Sequence, residues 1–137
     1  MKKEEKFIFL EHTADIKIKV FGKTIDEIFE NCVLALSNFV SRGADIKTTR
    51  GRVIEVSGVD NESLLFNFIS ELIYLMDAES FLASKSKINI RGFNLRAELF
   101  GDDISNYNGR QIKAATYSEM YVKKDDKGWE AQFVLDV

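Results

Sequence analysis

Lys87-Ile88-Asn89-Ile90-Arg91-Gly92-Phe93-Asn94-Leu95-Arg96-Ala97-Glu98-Leu99 alternates apolar and polar residues on either side of a Gly-containing turn. Ile88 and Ile90 share one parity, against Lys87, Asn89 and Arg91; Leu95, Ala97 and Leu99 repeat the pattern against Arg96 and Glu98. Period-2 alternation marks a half-buried strand, and two such strands around a short turn make an antiparallel hairpin. The hairpin comes after two helical patterns instead of alternating with them. That order favours an α+β arrangement over βαβ units.

Working outward, both helices are legible. Ile25, Ile28, Phe29, Cys32, Val33, Leu36, Phe39 and Val40 follow the three-four spacing of one helical face. Thr24 with Glu27 forms a capping box at the start, and Arg42-Gly43 supplies the stop. The second helix begins near Asp60, with Glu62 in its first turn, and carries Leu64, Leu65, Phe68, Ile69, Leu72, Ile73 and Met76. Between them Arg52–Val56 reads as a strand ending at Ser57-Gly58. Phe7–Leu10 reads as a buried strand, and Ile16, Ile18 and Val20 alternate with Lys17 and Lys19 in a half-buried one. Gly101–Gly109 is a polar loop, and a last hairpin pairs Ile112–Lys123 with Trp129–Val137 around Asp125-Asp126-Lys127-Gly128. The expected fold is α+β, two helices packed on a predominantly antiparallel β-sheet, as a single compact domain over 1–137.

The bulk properties agree with this size and class. The chain has 137 residues, 45% hydrophobic and 30% charged, with a formal net charge of −3. This is a globular composition without the overall basic charge that tight nucleic-acid backbone binding normally calls for. There is no proline, no repeat and no low-complexity tract. The sole cysteine, Cys32, lies on the first helix's apolar stripe and reads as a small buried hydrophobe. A charged N-terminus and the lack of a long apolar run point to a cytoplasmic protein with no membrane partner.

The chemistry concentrates in Glu11-His12-Thr13-Ala14-Asp15-Ile16, a polar interruption between two strands that holds the only histidine. Parity places Ile16, Ile18 and Val20 on the core side, so Asp15 points away from it. In the last strand Trp129, Ala131, Phe133, Leu135 and Val137 share one face, leaving Asp136 on the less apolar side. Two carboxylates at adjacent strand ends would make a hard-oxygen site for Ca²⁺ or Mg²⁺. A solvated aspartate, a structural His12 and a solvated Lys113 are the plainer readings of the same residues. Tyr107, Tyr117 and Tyr121 offer rings on which RNA bases could stack, or serve as ordinary packing.

Taken in order, Glu11–Ile16, Thr24–Phe29, Asp60–Leu65, Ile112-Lys113-Ala114-Ala115-Thr116-Tyr117 and Val134–Val137 resemble the archease family over nearly the whole chain. The resemblance implies an accessory protein, not an enzyme, for the RtcB-type RNA ligase of tRNA splicing and RNA repair. It would promote guanylylation of the ligase histidine and multiple turnover, meeting tRNA or other RNA indirectly. Asp15 and Asp136 would hold a divalent metal, calcium first, with magnesium or manganese as alternatives. Asp102, where family members commonly have glutamate after glycine, would be a third ligand, and a terminal or backbone oxygen of Val137 a fourth. His12 and Lys113 would be functional, Lys113 against a phosphate or an acidic group of the ligase. Ser118 and Asn106 stand where the family often has histidine. The competing classes are a metal-dependent phosphate-ester hydrolase and a direct RNA-binding chaperone.

Overall fold

The computed structural model describes residues 5–12, 15–107 and 109–137, with the backbone alone at 11 and 12. In chain order its elements are β1 (Phe7–His12), β2 (Asp15–Gly22), α1 (Ile25–Ser41), β3 (Arg50–Ser57), α2 (Asn61–Glu79), β4 (Phe81–Arg91), β5 (Asn94–Asp103), β6 (Ala114–Asp125) and β7 (Gly128–Asp136), with one 3-10 turn at Ile104–Asn106. The strands pair antiparallel throughout, as the central hairpin predicted. They form two sheets, not one: β1-β2-β7-β6 and β3-β5-β4.

The helices join the sheets. α1 packs on β2 of the first and β4 of the second, and α2 on β6, β4 and β3. Lying against both sheets, α1 is buried well beyond a single stripe, with Asn31, Ala35, Ser37 and Ser41 enclosed alongside its apolar positions. Asn31 is affordable there because its amide donates to the Phe21 carbonyl at 2.6 Å. Phe29 of α1 meets Phe68 of α2 edge-on at 5.4 Å. These two rings, with Phe81 and Phe133, are the largest side chains fully removed from water, each contributing roughly 1.5–3 kcal/mol of transfer energy.

The helix ends obey the residues that flank them. Thr24 accepts from the Glu27 N–H, while the Glu27 carboxylate reaches the Lys23 N–H, one residue short of a reciprocal box. Asp60 caps α2 reciprocally with Ser63. Arg42 (φ 58°) and Gly43 (φ 81°) turn the chain left-handed after α1.

Four expectations are corrected. β1 is an edge strand, and Phe9 and Leu10 are each 37% exposed, since its outer neighbour is missing. The supposed loop from Gly101 begins inside β5, because Gly101 lets the backbone of Leu82 pass where any Cβ would collide with its carbonyl. β6 carries a wide bulge: Thr116 is opposite Val134 and Tyr121 opposite Gln132, with Glu119 between them at φ 55°. Finally, the second face of β7 is not open. Val134 and Gln132 are both buried, since the bulge folds over them and the Gln132 amide donates to the Glu119 carbonyl at 2.8 Å.

Candidate functional site

β2 and β7 meet with Asp15 directly opposite Asp136. Directly opposed residues project from the same side of a sheet, with Cβ atoms about 4.5–5.5 Å apart. The next odd step fixes which side: Ile18 opposes Phe133 and both are fully buried, so the two aspartates lie on the face away from the core. Like charges so placed are unfavourable unless something positive sits near them.

β7 is also flanked by β6, where Ala114 opposes Asp136 and the Lys113 N–H donates to the Asp136 carbonyl at 2.8 Å. Lys113 itself is exposed. Val137 follows Asp136 with its side chain packed on the core, so its main chain is what it can offer. One corner of the four-stranded sheet thus gathers Asp15, Asp136, Lys113 and Val137. His12 ends β1 opposite Asp15; the role expected of its side chain, and the Thr13-Ala14 pair, lie outside the described residues.

Lys17 alternates with the core-facing residues of β2. It shares the outer face with Asp15, crosses β7 and forms an ion pair with Glu119 of the β6 bulge at 2.8 Å. Nothing in the local sequence marks Glu119 as left-handed or as this partner, because the contact spans 102 residues of separation.

Asp102 takes a different part from the one expected. Its carboxylate accepts from Thr49 Oγ1 (2.8 Å), the Asp103 N–H (2.8 Å), Tyr107 Oη (2.8 Å) and Asn106 Nδ2 (3.3 Å). Four donors fill about the four acceptor positions a carboxylate has. These bonds, Thr49 and Tyr107 first, hold its pKa down at about 2. Among the described residues no three His, Cys, Asp or Glu side chains converge, so Asp102 does not join the aspartate pair. It braces the chain after β5 instead.

The tyrosines are engaged as well. The Tyr107 hydroxyl donates to Asp102 and accepts from the Lys47 N–H, and Tyr121 donates to Glu130. Tyr117 stacks on Phe66 at 4.1 Å, which takes one of its faces. Of the two positions where histidine was expected from the resemblance, Asn106 serves Asp102 and the Ser118 N–H is held by Thr116 Oγ1. Cys32 is fully buried, and burial pushes its thiol up, away from the nucleophilic thiolate.

The donor set fits a hard divalent cation in part. Two carboxylates and adjacent main-chain oxygens are the right chemistry, yet they fall short of the roughly six to eight oxygens calcium takes. The rest of such a shell falls to water or to groups of another molecule. No helix among the described residues is long and apolar enough to cross a membrane.

Residues 7–137 match the model of the Archease protein family. Protein archease of Pyrobaculum neutrophilum is 35% identical over 93% of this chain and 92% of its own length. Protein archease of Methanosarcina barkeri is 34% identical over 97% of each chain. A protein archease-like of Drosophila melanogaster is 31% identical over 98% of this chain and 92% of its own. Among solved structures, protein 1598 of Methanobacterium thermoautotrophicum superposes with a TM-score of 0.79 at 25% identity, over 96% of this chain and 99% of that one. An archease of Thermotoga maritima, described as a possible chaperone, gives 0.70 at 23% identity over 100% and 98%, a likeness of fold.

Proposed function

Because the chain belongs to the archease family, we propose that it is an accessory protein of an RtcB-type RNA ligase, promoting guanylylation of the ligase histidine and repeated turnover in tRNA splicing or RNA repair. The observation that carries this reading is the direct opposition of Asp15 and Asp136 across the β2–β7 ladder. Such a pair holds half a coordination shell on an outward face, which suits presenting an ion to a partner better than performing a reaction alone. With Cys32 buried, the chain's only thiol is out of reach for covalent chemistry.

Asp15, Asp136 and a main-chain oxygen of Val137 would hold the divalent ion, calcium first and magnesium or manganese otherwise. When bound, the ion supplies positive charge that offsets the phosphate charge of GTP in the ligase site. Lys113 is tied by its backbone to Asp136 and is exposed, and its ammonium would meet a phosphate or a ligase carboxylate near that corner. The RNA ends are joined in the ligase site.

The test is a guanylylation time course of a cognate ligase with and without this protein. Wild-type protein accelerates the reaction, and Asp15→Ala or Asp136→Ala, folded by circular dichroism, each removes most of the acceleration. Full stimulation by both variants would exclude the metal role, and no stimulation by wild type would exclude the ligase role. Divalent-metal-dependent turnover of simple phosphate esters, lost in Asp15→Ala, would turn the assignment to a hydrolase.

A further inference from the structure

The outer face of the β3-β5-β4 sheet carries cations that the aspartate corner does not use. Alternation places Lys85, Lys87 and Arg91 of β4 and Arg96 of β5 on the exposed side, while Ile88, Ile90, Leu95, Ala97 and Leu99 pack inward. Arg96 lies between Glu55 of β3 and Asn89 of β4, and Glu98 between Val53 and Lys87. Four cations therefore stand against two carboxylates, in a chain whose net charge is −3. None of the four makes an ion pair with a described residue. At the hairpin end this face is concave, an open cleft of about 550 Å³ in which Arg91, Arg96, Asn89 and Asn94 stand beside a single carboxylate, Glu55, over Val56 and Leu95.

Lysines on an edge strand can serve to discourage edge-to-edge pairing. That accounts for β4 and not for Arg96, which sits on the central strand. We propose that this sheet face binds a single strand of RNA through its phosphates, with Arg91 and Arg96 as the principal contacts and Lys85 and Lys87 extending the track. Alternate β4 residues are roughly 6.6 Å apart, twice the strand rise, a spacing comparable to that of successive phosphates along an extended strand. Guanidinium groups match phosphate oxygens bidentately, and the Asn89 and Asn94 amides can both donate to and accept from base edges. Protein partners are disfavoured because the strands of this face present few large apolar side chains, Val53 and Phe100, with Phe93 exposed at the β4–β5 turn. Interfaces with nucleic acid are polar and positive.

This inference goes beyond the ligase reading and needs neither ligase nor metal. The test is fluorescence anisotropy of the full chain, in chelator, with a labelled 12-nucleotide uridine RNA. About three phosphate contacts give a log–log salt slope near −2, so binding weakens roughly 10- to 20-fold from 50 to 200 mM salt. Arg91→Glu/Arg96→Glu, and more mildly Arg91→Ala/Arg96→Ala, weaken binding at least tenfold at low salt. Lys124→Glu/Lys127→Glu, the same charge change on the β6–β7 hairpin, leaves affinity within twofold. Absence of saturable binding at 50 mM salt, equal losses in both Glu pairs, or tighter binding of a poly-glutamate peptide than of RNA would each overturn the proposal.

Discussion

At Asp102 four donors, three of them side chains, converge on one carboxylate, and the consequence is a pH dependence with a definite sign. Its folded pKa of about 2 lies below the ordinary 3.8. The stabilisation is therefore complete above about pH 4 and is lost as pH falls toward 2. Thermal melts across that window should show the wild-type melting temperature falling more steeply than that of Asp102→Asn, which lacks the titrating group and melts lower at neutral pH. The aspartate pair gives a second prediction. If the pair holds calcium as proposed, calcium at 100 times its dissociation constant should stabilise the wild type by about 2.7 kcal/mol, and calorimetry should find this increment gone in Asp15→Asn. Parity along β2 and β7 is local and already places both aspartates off the core in the sequence. Of the donors to Asp102, Asp103, Asn106 and Tyr107 lie within five residues, but Thr49 is 53 positions away, and a short polar segment carries no mark of what it will fold onto.

The helices and strands follow the same division between local and distant information. Caps and period are properties of adjacent residues, so Thr24, Asp60 and the Gly92 turn announce themselves. The splitting of the seven described strands into two sheets depends on which strands meet across the fold, and alternation says nothing of that. Likewise the bulge in β6 follows from Glu119 adopting φ 55°, in a stretch whose composition suits a continuous strand. Arg42 occupies the left-handed position after α1 at φ 58°, where a side chain costs about 1–2 kcal/mol and glycine nothing. Arg42→Gly should accordingly raise stability by roughly 0.5–1 kcal/mol in urea melts, allowing for the greater freedom of glycine in the unfolded chain.

For the whole molecule, the two sheets share one core because α1 touches both. Unfolding should therefore be a single cooperative transition, with Trp129 fluorescence on the first sheet and helical circular dichroism tracing the same urea curve. Phe29→Ala, which deletes the ring contact between the helices, should cost about 3–5 kcal/mol without splitting that curve. Separate midpoints for the two probes would mean that the sheets are independent units. The β6 bulge carries a further consequence for motion. Because β7 pairs with β6 up to Thr116 and again from Tyr121, the ladder is two short zippers in series. The amides at 117–120 should exchange with solvent deuterium sooner than those of Ala115 and Val122. Breaking the Lys17–Glu119 pair would hasten them alone, making this segment a breathing seam beside the carboxylates that leaves the rest of the sheet shut.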